Sequence, residues 1–596
     1  MQTAETIFSI YRERGTKGLP LERVYRQLFN PELYLRAYAK LYPNKGATTK
    51  GSTEETVDGM SLRKIETIIE AIRWERYRWT PVRRTYIPKS NGKQRPLGIP
   101  SWSDKLLQEV IRSLLEAYFE PQFSDYSHGF RPGRGCHTAL TFIQQSWKGT
   151  KWFIEGDIAQ YFDTINHTKL MDILGEIIHD ERFLRLIRGL LEAGYLEEWT
   201  FNQTMSGTPQ GSPLSPLLSN IYLNKFDQYV TETLIPEYTK GRMRKDNPAY
   251  KQAHNHVYQY RKKGDRTRTK QWIKRRRQLP SRDPNDAEYR RLRYCRYADD
   301  FLLGFIGTKT EAEQIKCKIK DWLSNNLSLT LSDQKTLITH AHSSAARFLG
   351  YDIVSQHEDS QLTQGRRSIN AEIGLRVPRD LLTKKIAKYT MKDGKTTSRP
   401  YLMEESDYAI VTQYQQEYRG IVQYYLLAHN VYSLSKLRYA MTQSLLKTLA
   451  EKHQTSSLPI LNKYRTTTTT ADGKHLFCLE VRVKRDGKPD LIAQFGGISL
   501  TRRPTAILND QPIIIRNNRT ELLQRPLANQ CELCGSKEHI EVHHIRALKN
   551  LIKPGRKEKP AWVIKMAAMK RKTLVVCRKC HDDIHAGRPI RQTIST

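Results

Sequence analysis

The sequence predicts a multidomain α+β protein. Its 596 residues, at roughly 100–200 per domain, make about three to five domains. Short β-type runs alternate with helical patterns from about residue 80 to 370, the texture of a mixed α+β unit. Beyond residue 470 the texture changes to basic β-like runs and then two Cys-x-x-Cys pairs, so a small separate domain is expected there. Residues 1–75 read as helices, with amphipathic spacing at Ile7 and Tyr11 and at Leu33, Leu35, Tyr38 and Leu41. A Gly/Thr/Ser-rich basic loop from Lys45 to Thr53 joins them. Residues 76–370 form the mixed unit, interrupted at 240–293 by a segment crowded with Arg and Lys, among them Arg275, Arg276 and Arg277. Residues 375–465 are helical and Tyr-rich, with Arg419 and Arg438 among the tyrosines. The threonine run Thr466 to Thr470 reads as a linker. Residues 471–525 are basic, with Arg482, Arg502 and Arg503, and residues 526–596 hold the cysteine pairs.

Lys and Arg number 98 against 62 Asp and Glu, a net charge of +36 with a pI near 9.8. A folded chain this positive predicts a polyanionic partner, most simply nucleic acid. Aromatics at 9% argue against a disordered basic tail. A mean hydropathy of −0.65, with no apolar run near the ~20 residues a bilayer span requires, excludes an integral membrane protein. The N-terminal stretch lacks a long apolar run and carries Glu5 early, so the chain is not expected to be secreted.

Tyr294-Cys-Arg-Tyr297-Ala-Asp299-Asp300-Phe-Leu-Leu-Gly304 sets two adjacent carboxylates between an aromatic and an apolar run. That is the pattern of a tight hairpin with Ala298-Asp299 near the turn. Standing alone, the pair would read as a solvated turn. Upstream, however, Trp152-Phe-Ile-Glu-Gly-Asp157 is an apolar strand that delivers a third carboxylate. Three carboxylates on two neighbouring strands suit two Mg²⁺ ions, ~3.5–4 Å apart, that activate a 3′-hydroxyl and stabilise leaving pyrophosphate. Between them, Gly207-Thr-Pro-Gln210-Gly211-Ser forms a turn whose small residues allow a base pair or deoxyribose close to the backbone.

Cys531, Cys534, Cys577 and Cys580 supply four thiolates at the spacing of a closed structural Zn²⁺ site. Between the pairs, Ile540 to Ile545 reads as a strand presenting His543 and His544. After the second pair, His581 and His585 stand at i and i+4 on one helix face.

Asp157 with Phe162, Gly207-x-Pro-Gln-Gly-Ser, Tyr297-Ala-Asp-Asp, Lys335 and Phe348-Leu-Gly-Tyr351, in this order, resemble the reverse transcriptase family. More specifically they resemble the proteins encoded in bacterial and organellar group II introns. Tyr86-Ile-Pro-Lys89 through Arg95 to Pro100, and Ser127-His-Gly-Phe130 to Gly135, match two further motifs, and the resemblance runs over nearly the whole chain. It implies a right-hand polymerase whose fingers and palm combine an antiparallel sheet with helices. An α-helical thumb that is also the maturase or X domain, a small DNA-binding region and a ββα-metal nuclease domain would follow. It implies Asp157, Asp299 and Asp300 as Mg²⁺ ligands, and Phe162 as the aromatic that crowds a 2′-hydroxyl. Lys89 and Arg95 fall where the family contacts the incoming triphosphate, and Gln210 lies near the new base pair. Lys335 is either a phosphate or acid contact or a surface lysine.

The C-terminal pattern resembles the HNH nucleases. This implies that His543, His581 and His585 hold the catalytic divalent cation and that His544 is the general base. The Asn typical of that family is missing, and Arg571-Lys-Thr573-Leu-Val-Val stands in its place. This form is common among the intron members, so the missing Asn does not imply inactivity, and Thr573 would orient the histidine loop. The function implied is a ribonucleoprotein with intron RNA that assists splicing, nicks target DNA and extends the nicked 3′ end with dNTPs. The insert arginines, Arg419, Arg438, Arg502 and Arg503 are expected to grip nucleic acid. A bacterial cytoplasm or nucleoid, or an organelle matrix, is the implied setting, with monomer and homodimer both open. A splicing-only maturase and the reverse transcriptase of another retroelement are the rivals. The retained acids and histidines disfavour the first, and the joint X-like and Cys₄ domains the second.

Overall fold

Buried apolar side chains gather into three separate cores, and these divide the computed structural model. It describes residues 2–589 apart from 89–91, 93, 198–199, 203–205, 208–210, 359–368, 392, 471–472, 486, 509–524, 526, 547–550, 552–559 and 570. The fold is mixed α and β, with several sheets of two to four strands. No described helix is long and apolar enough to cross a membrane.

The first core takes in the N-terminal helices Ala4–Thr16, Pro31–Leu41 and Leu62–Arg73 with the long helix Trp102–Phe119. Leu62–Arg73 buries Ile65, Ile68, Ile69 and Ile72, a stripe at i, i+3, i+4 and i+7, and Ser61 caps its start by accepting from the Lys64 N–H. Between the first and second cores lies an antiparallel sheet in the order Ile338–His340, Trp152–Asp157, Asp300–Ile306, Arg291–Tyr297. Successive side chains of a strand point to opposite faces. Phe301, Leu303 and Phe305 therefore enter the first core while Leu302 enters the second. Burial on both faces is why Phe-Leu-Leu-Gly-Phe-Ile reads as a continuous apolar run rather than an alternating one.

The second core is built on helices Asp407–Tyr424 and Ser435–Lys452. It includes Leu479, Val481, Ala493 and Phe495 from a three-stranded antiparallel sheet, Arg465–Thr469, His475–Arg485 and Lys488–Gly496. The threonine run is thus an edge strand and not a linker: Thr466 pairs with Cys478 and Thr468 with Leu476. Branching at Cβ favours extended backbone, and a run of threonines extends wherever a partner strand is offered. Within 240–293, the helices Pro248–Lys262 and Arg266–Gln278 form a hairpin, and the second buries no residue. The third core belongs to the C-terminal unit, where strands Ile540–His544 and Thr573–Cys577 pair antiparallel and run into helix Arg578–Ala586.

Candidate active sites: a carboxylate hairpin and a cysteine–histidine metal centre

Asp157 ends its strand directly opposite Asp300 in the ladder, and Asp300 in turn pairs with Tyr297 across the hairpin. Ala298 makes the turn in the left-handed region at φ 55°, which throws Asp299 out beside them. Gly129 lies so close to this turn that a Cβ there would stand 2.4 Å from the Ala298 nitrogen, so only glycine fits. Asp300 keeps more than a third of its surface open to solvent, yet the surrounding protein first, and then the charges of Asp299 and Asp157, push its carboxyl up to about 7. Asp299 is also raised, by burial first and then by Asp157, although Arg95 and Lys335 oppose this. Lys335 donates to both Asp157 oxygens, at 2.8 and 3.0 Å, so it is an acid contact rather than a free surface lysine. Two carboxyls, Asp299 and Asp300, that resist ionisation, beside Asp157 already holding an ammonium, fit a centre meant for cations.

Phe162 is half-buried and packs edge-to-face on Tyr161 at 5.3 Å. Gly207 presses on the same segment, where a Cβ would stand 2.6 Å from the Phe162 carbonyl oxygen. Arg95 is exposed and faces Asp299, while Lys89 and Gln210 lie outside the described residues. Sequence reasoning missed the support beneath the hairpin. Arg296 donates to Asp227 through Nε at 2.8 Å and Nη2 at 2.6 Å, to Asn220 Oδ1 at 3.1 Å and to the Ala298 carbonyl at 2.9 Å. Strand parity carried the signal: Arg296 falls on an inward position of a buried strand, and such a charge requires an acid partner.

In the C-terminal unit the four cysteine sulfurs lie within 4.8 Å of one another, and none of the four is in a disulfide. Burial pushes Cys577 and Cys580 up as thiols, so four thiolates here need a cation, which suits tetrahedral Zn²⁺. A second set, His543, His581, His585 and Asp58, is equally compact. His581 Nδ1 lies 2.8 Å from Glu541, which leaves Nε2 facing the other histidines, the arrangement in which a carboxylate orients a metal-ligating imidazole. His543 is buried with no hydrogen bond to either ring nitrogen, and His585 Nε2 lies 3.2 Å from His581 Nε2. A divalent cation would satisfy all three rings at once. His544 points the other way: its Nδ1 meets the Val542 carbonyl at 2.9 Å, and burial lowers the ring to about 4. Thr573 pairs with His544 across the two strands, and its hydroxyl accepts from Arg525 at 3.2 Å. Asp58 went unnoticed because Val57-Asp58-Gly59 looks like any turn acid, and no local pattern links it to a distant strand.

The basic positions separate by burial. Arg275, Arg277, Arg419 and Arg503 are exposed, whereas Arg276 approaches His254 at 3.1 Å and Arg438 is half-buried. Arg502 donates to the Leu427 carbonyl at 3.2 Å, so part of its guanidinium holds the fold. Tyr414, Tyr418 and Tyr425 are core, while Tyr432 and Tyr439 are about two-thirds exposed, at 69% and 67%.

The class follows from the pairing of these two centres in one chain, an acid-bearing hairpin and a two-strand-and-helix unit that carries a cysteine cluster and a histidine cluster. Family models match accordingly: reverse transcriptase (RNA-dependent DNA polymerase) over residues 87–353, type II intron maturase over 371–500, and AI2M/AI1M-like HNH endonuclease over 531–581. The chain is 38% identical over 581 residues to the group II intron-encoded protein LtrA of Lactococcus lactis subsp. cremoris, covering 94% of this chain and 95% of that one. It is 34% identical to an uncharacterized 91 kDa protein in the cob intron of Schizosaccharomyces pombe, covering 97% of this chain and 71% of that one. Protein YkfC of Escherichia coli is 35% identical over 56% of this chain and 84% of its own length. The chain belongs to the group II intron-encoded proteins, as a multifunctional member with reverse transcriptase, maturase and HNH endonuclease parts.

Proposed function

We propose that the protein binds its own intron RNA, assists its splicing, nicks target DNA with the HNH unit and copies the RNA from the nicked 3′ end. In this reading residues 76–370 are fingers and palm, 375–465 the thumb and maturase domain, 471–525 a DNA-binding region and 526–596 the nuclease. The strands of 475–496, which pack on the thumb helices, support a thumb that reaches into the DNA-binding region.

Asp157, Asp299 and Asp300 would hold the polymerase Mg²⁺, which neutralises the triphosphate and activates the primer 3′-hydroxyl. Arg95, with Lys89, would orient the incoming dNTP phosphates, and Phe162 would disfavour a 2′-hydroxyl. Lys335, already on Asp157, would exchange that carboxylate for a substrate phosphate when cations load. The Cys₄ set would hold Zn²⁺ and fold the nuclease unit around it. His543, His581 and His585 would hold the nuclease cation, and His544, neutral and fixed by Val542, would take the proton from attacking water. The exposed arginines and tyrosines supply backbone contacts and stacking for unpaired RNA.

The observation that carries this reading is the register that sets Asp157 against Asp300 with Asp299 in the adjoining turn. Primer extension on an RNA template, Asp299→Ala beside the parent, tests it. Incorporation is expected to vanish in the variant, and equal incorporation by the two would end the polymerase assignment.

A further inference from the structure

The segment Val57–Met60, far from the nuclease in sequence, is built into the nuclease centre. The Gly59 N–H donates to the Val542 carbonyl at 3.2 Å, and the Val542 N–H to the Met60 carbonyl at 2.8 Å. These bonds add a short antiparallel bridge to the edge of the histidine strand. Val57 and Met60 are buried in the first core, and the Trp102 indole N–H donates to the Met60 sulfur at 3.4 Å, so the loop is held at both ends. Asp58 is thereby presented on a fixed backbone to three imidazoles. Its Oδ1 lies 3.1 Å from His581 Nε2 and 3.3 Å from His543 Nδ1, and its Oδ2 lies 2.8 Å from His585 Nε2. Oδ1 also accepts the His544 backbone N–H at 2.8 Å.

The same contact covers the base. The Tyr38 hydroxyl meets His544 Nε2 at 2.9 Å, while Nδ1 is already engaged with Val542. His544 is 8% exposed, with Tyr38 and Tyr42 against its ring. With Nδ1–H donated to the carbonyl, Nε2 carries the lone pair that a general base needs, and here a hydroxyl occupies it.

We propose that Asp58 is a fourth ligand of the nuclease ion, contributed from the N-terminal region, and that this docked arrangement is the resting form of the nuclease. A catalytic site keeps a coordination position for water or substrate; three imidazoles and a carboxylate fill all four positions of a tetrahedral ion, and on a six-coordinate ion the Asp58 oxygen occupies one of the positions a target phosphate would take. Target phosphate is an oxygen anion like the carboxylate, and it would have to displace Asp58 while the nuclease unit lifts from Tyr38. This inference rests on the reading of His543, His581 and His585 as a metal site.

Hydrogen exchange on the full chain across a Mn²⁺ titration, read at the amides of 57–60 and 540–544, tests it. In the parent, Mn²⁺ is expected to slow exchange in both segments together. In Asp58→Ala and Asp58→Asn the Mn²⁺ concentration for half-protection of 540–544 should rise about tenfold or more, with no protection gained at 57–60. Nicking of target DNA by the ribonucleoprotein at saturating Mn²⁺ should be faster in both variants than in the parent. Exchange at the strands of the carboxylate sheet in the same run reports whether each variant has folded. An unchanged midpoint in both variants would remove Asp58 from the ligand set. Slower nicking at saturating Mn²⁺ would show the docked form to be the active one and overturn the proposal. No Mn²⁺ response at 540–544 in the parent would overturn the metal reading and this inference with it.

Discussion

Arg296 and Asp227 form an ion pair in which both side chains are 0% exposed, with Nη2 and Oδ2 2.6 Å apart. Tyr294 adds its hydroxyl to Asp227 Oδ1 at 2.7 Å, and the remaining Arg296 donors reach Asn220 and the Ala298 carbonyl. The pair therefore fixes the turn that carries Asp299.

Asp227→Ala strands the guanidinium in a dry site, and breaking a buried pair from one side costs about 3–5 kcal/mol. The expected outcome is a marked fall in the thermal midpoint together with lost primer extension. The double variant Asp227→Leu, Arg296→Met removes both charges and should recover much of the stability, since a well-packed apolar replacement is often neutral. Extension should stay low in the double variant, because nothing then holds the Ala298 carbonyl. Full recovery of activity with stability would show the pair to be structural only.

Asp407 opens helix Asp407–Tyr424 and gathers Lys452 at 2.7 Å, His453 at 2.7 Å and Tyr464 at 2.6 Å, tying three helices together. Burial alone would push the carboxyl up, but the bonds from Lys452, Tyr464 and His453 outweigh it and hold the group at about 2 against an ordinary 3.8. A depressed carboxylate contributes stability that is present above its unfolded value and is lost as pH falls through the folded one. The contribution is on the order of 1–2 kcal/mol, present above pH ~4 and lost between ~4 and ~2. Denaturant melts of the parent and Asp407→Asn, compared at pH 7 and in that acid window, should differ at pH 7 and converge in acid. A constant difference across both would assign the stabilisation to something other than this titration.

What was legible in the sequence was what local pattern encodes. Continuous apolar runs beside Asp157 and Asp300, the i, i+4 histidines and the Cys-x-x-Cys spacing each announce their own geometry. The threonine run misled because β-branched residues signal extension only when a partner strand is known, and that partner, His475–Arg485, comes later in the chain. Asp58 and Tyr38 were illegible for a deeper reason: their meeting with His543 and His544 is set by how two cores dock. Arg296 stood between these extremes, since its parity in the strand was readable but the identity of its acid was not.

The helix Arg266–Gln278 has no buried residue, and Arg275 lies over the Trp272 ring at 5.1 Å. Its inner side meets the neighbouring helix, where Trp272 stacks on His256 at 4.2 Å. If Arg275, Arg276 and Arg277 neutralise backbone phosphates, their replacement by Ala should lower the log–log salt slope of RNA or DNA binding by about 0.7–0.9 per lost contact. Thermal stability should hardly move, because no core contact is removed. Binding isotherms at several salt concentrations measure this, and an unchanged slope would leave the helix as a solvated face.

His544 is the residue on which the nuclease assignment turns. Its ring is fixed by the Val542 carbonyl, its backbone is locked into the pairing with Thr573, and burial keeps it neutral near physiological pH. His544→Ala removes the proposed proton acceptor but leaves Glu541–His581 and the cysteine set untouched. DNA nicking should therefore disappear, while splicing assistance and primer extension persist, since the carboxylate hairpin and the helices of the second core lie outside the third core. General acid–base catalysis contributes about 10²–10⁴-fold, so residual nicking within tenfold of the parent would remove His544 as the base. Simultaneous loss of splicing would instead mark the ring as part of the packing between the nuclease unit and the N-terminal helices. Its edge-to-face contact with Tyr38 makes that a real alternative for the experiment to decide.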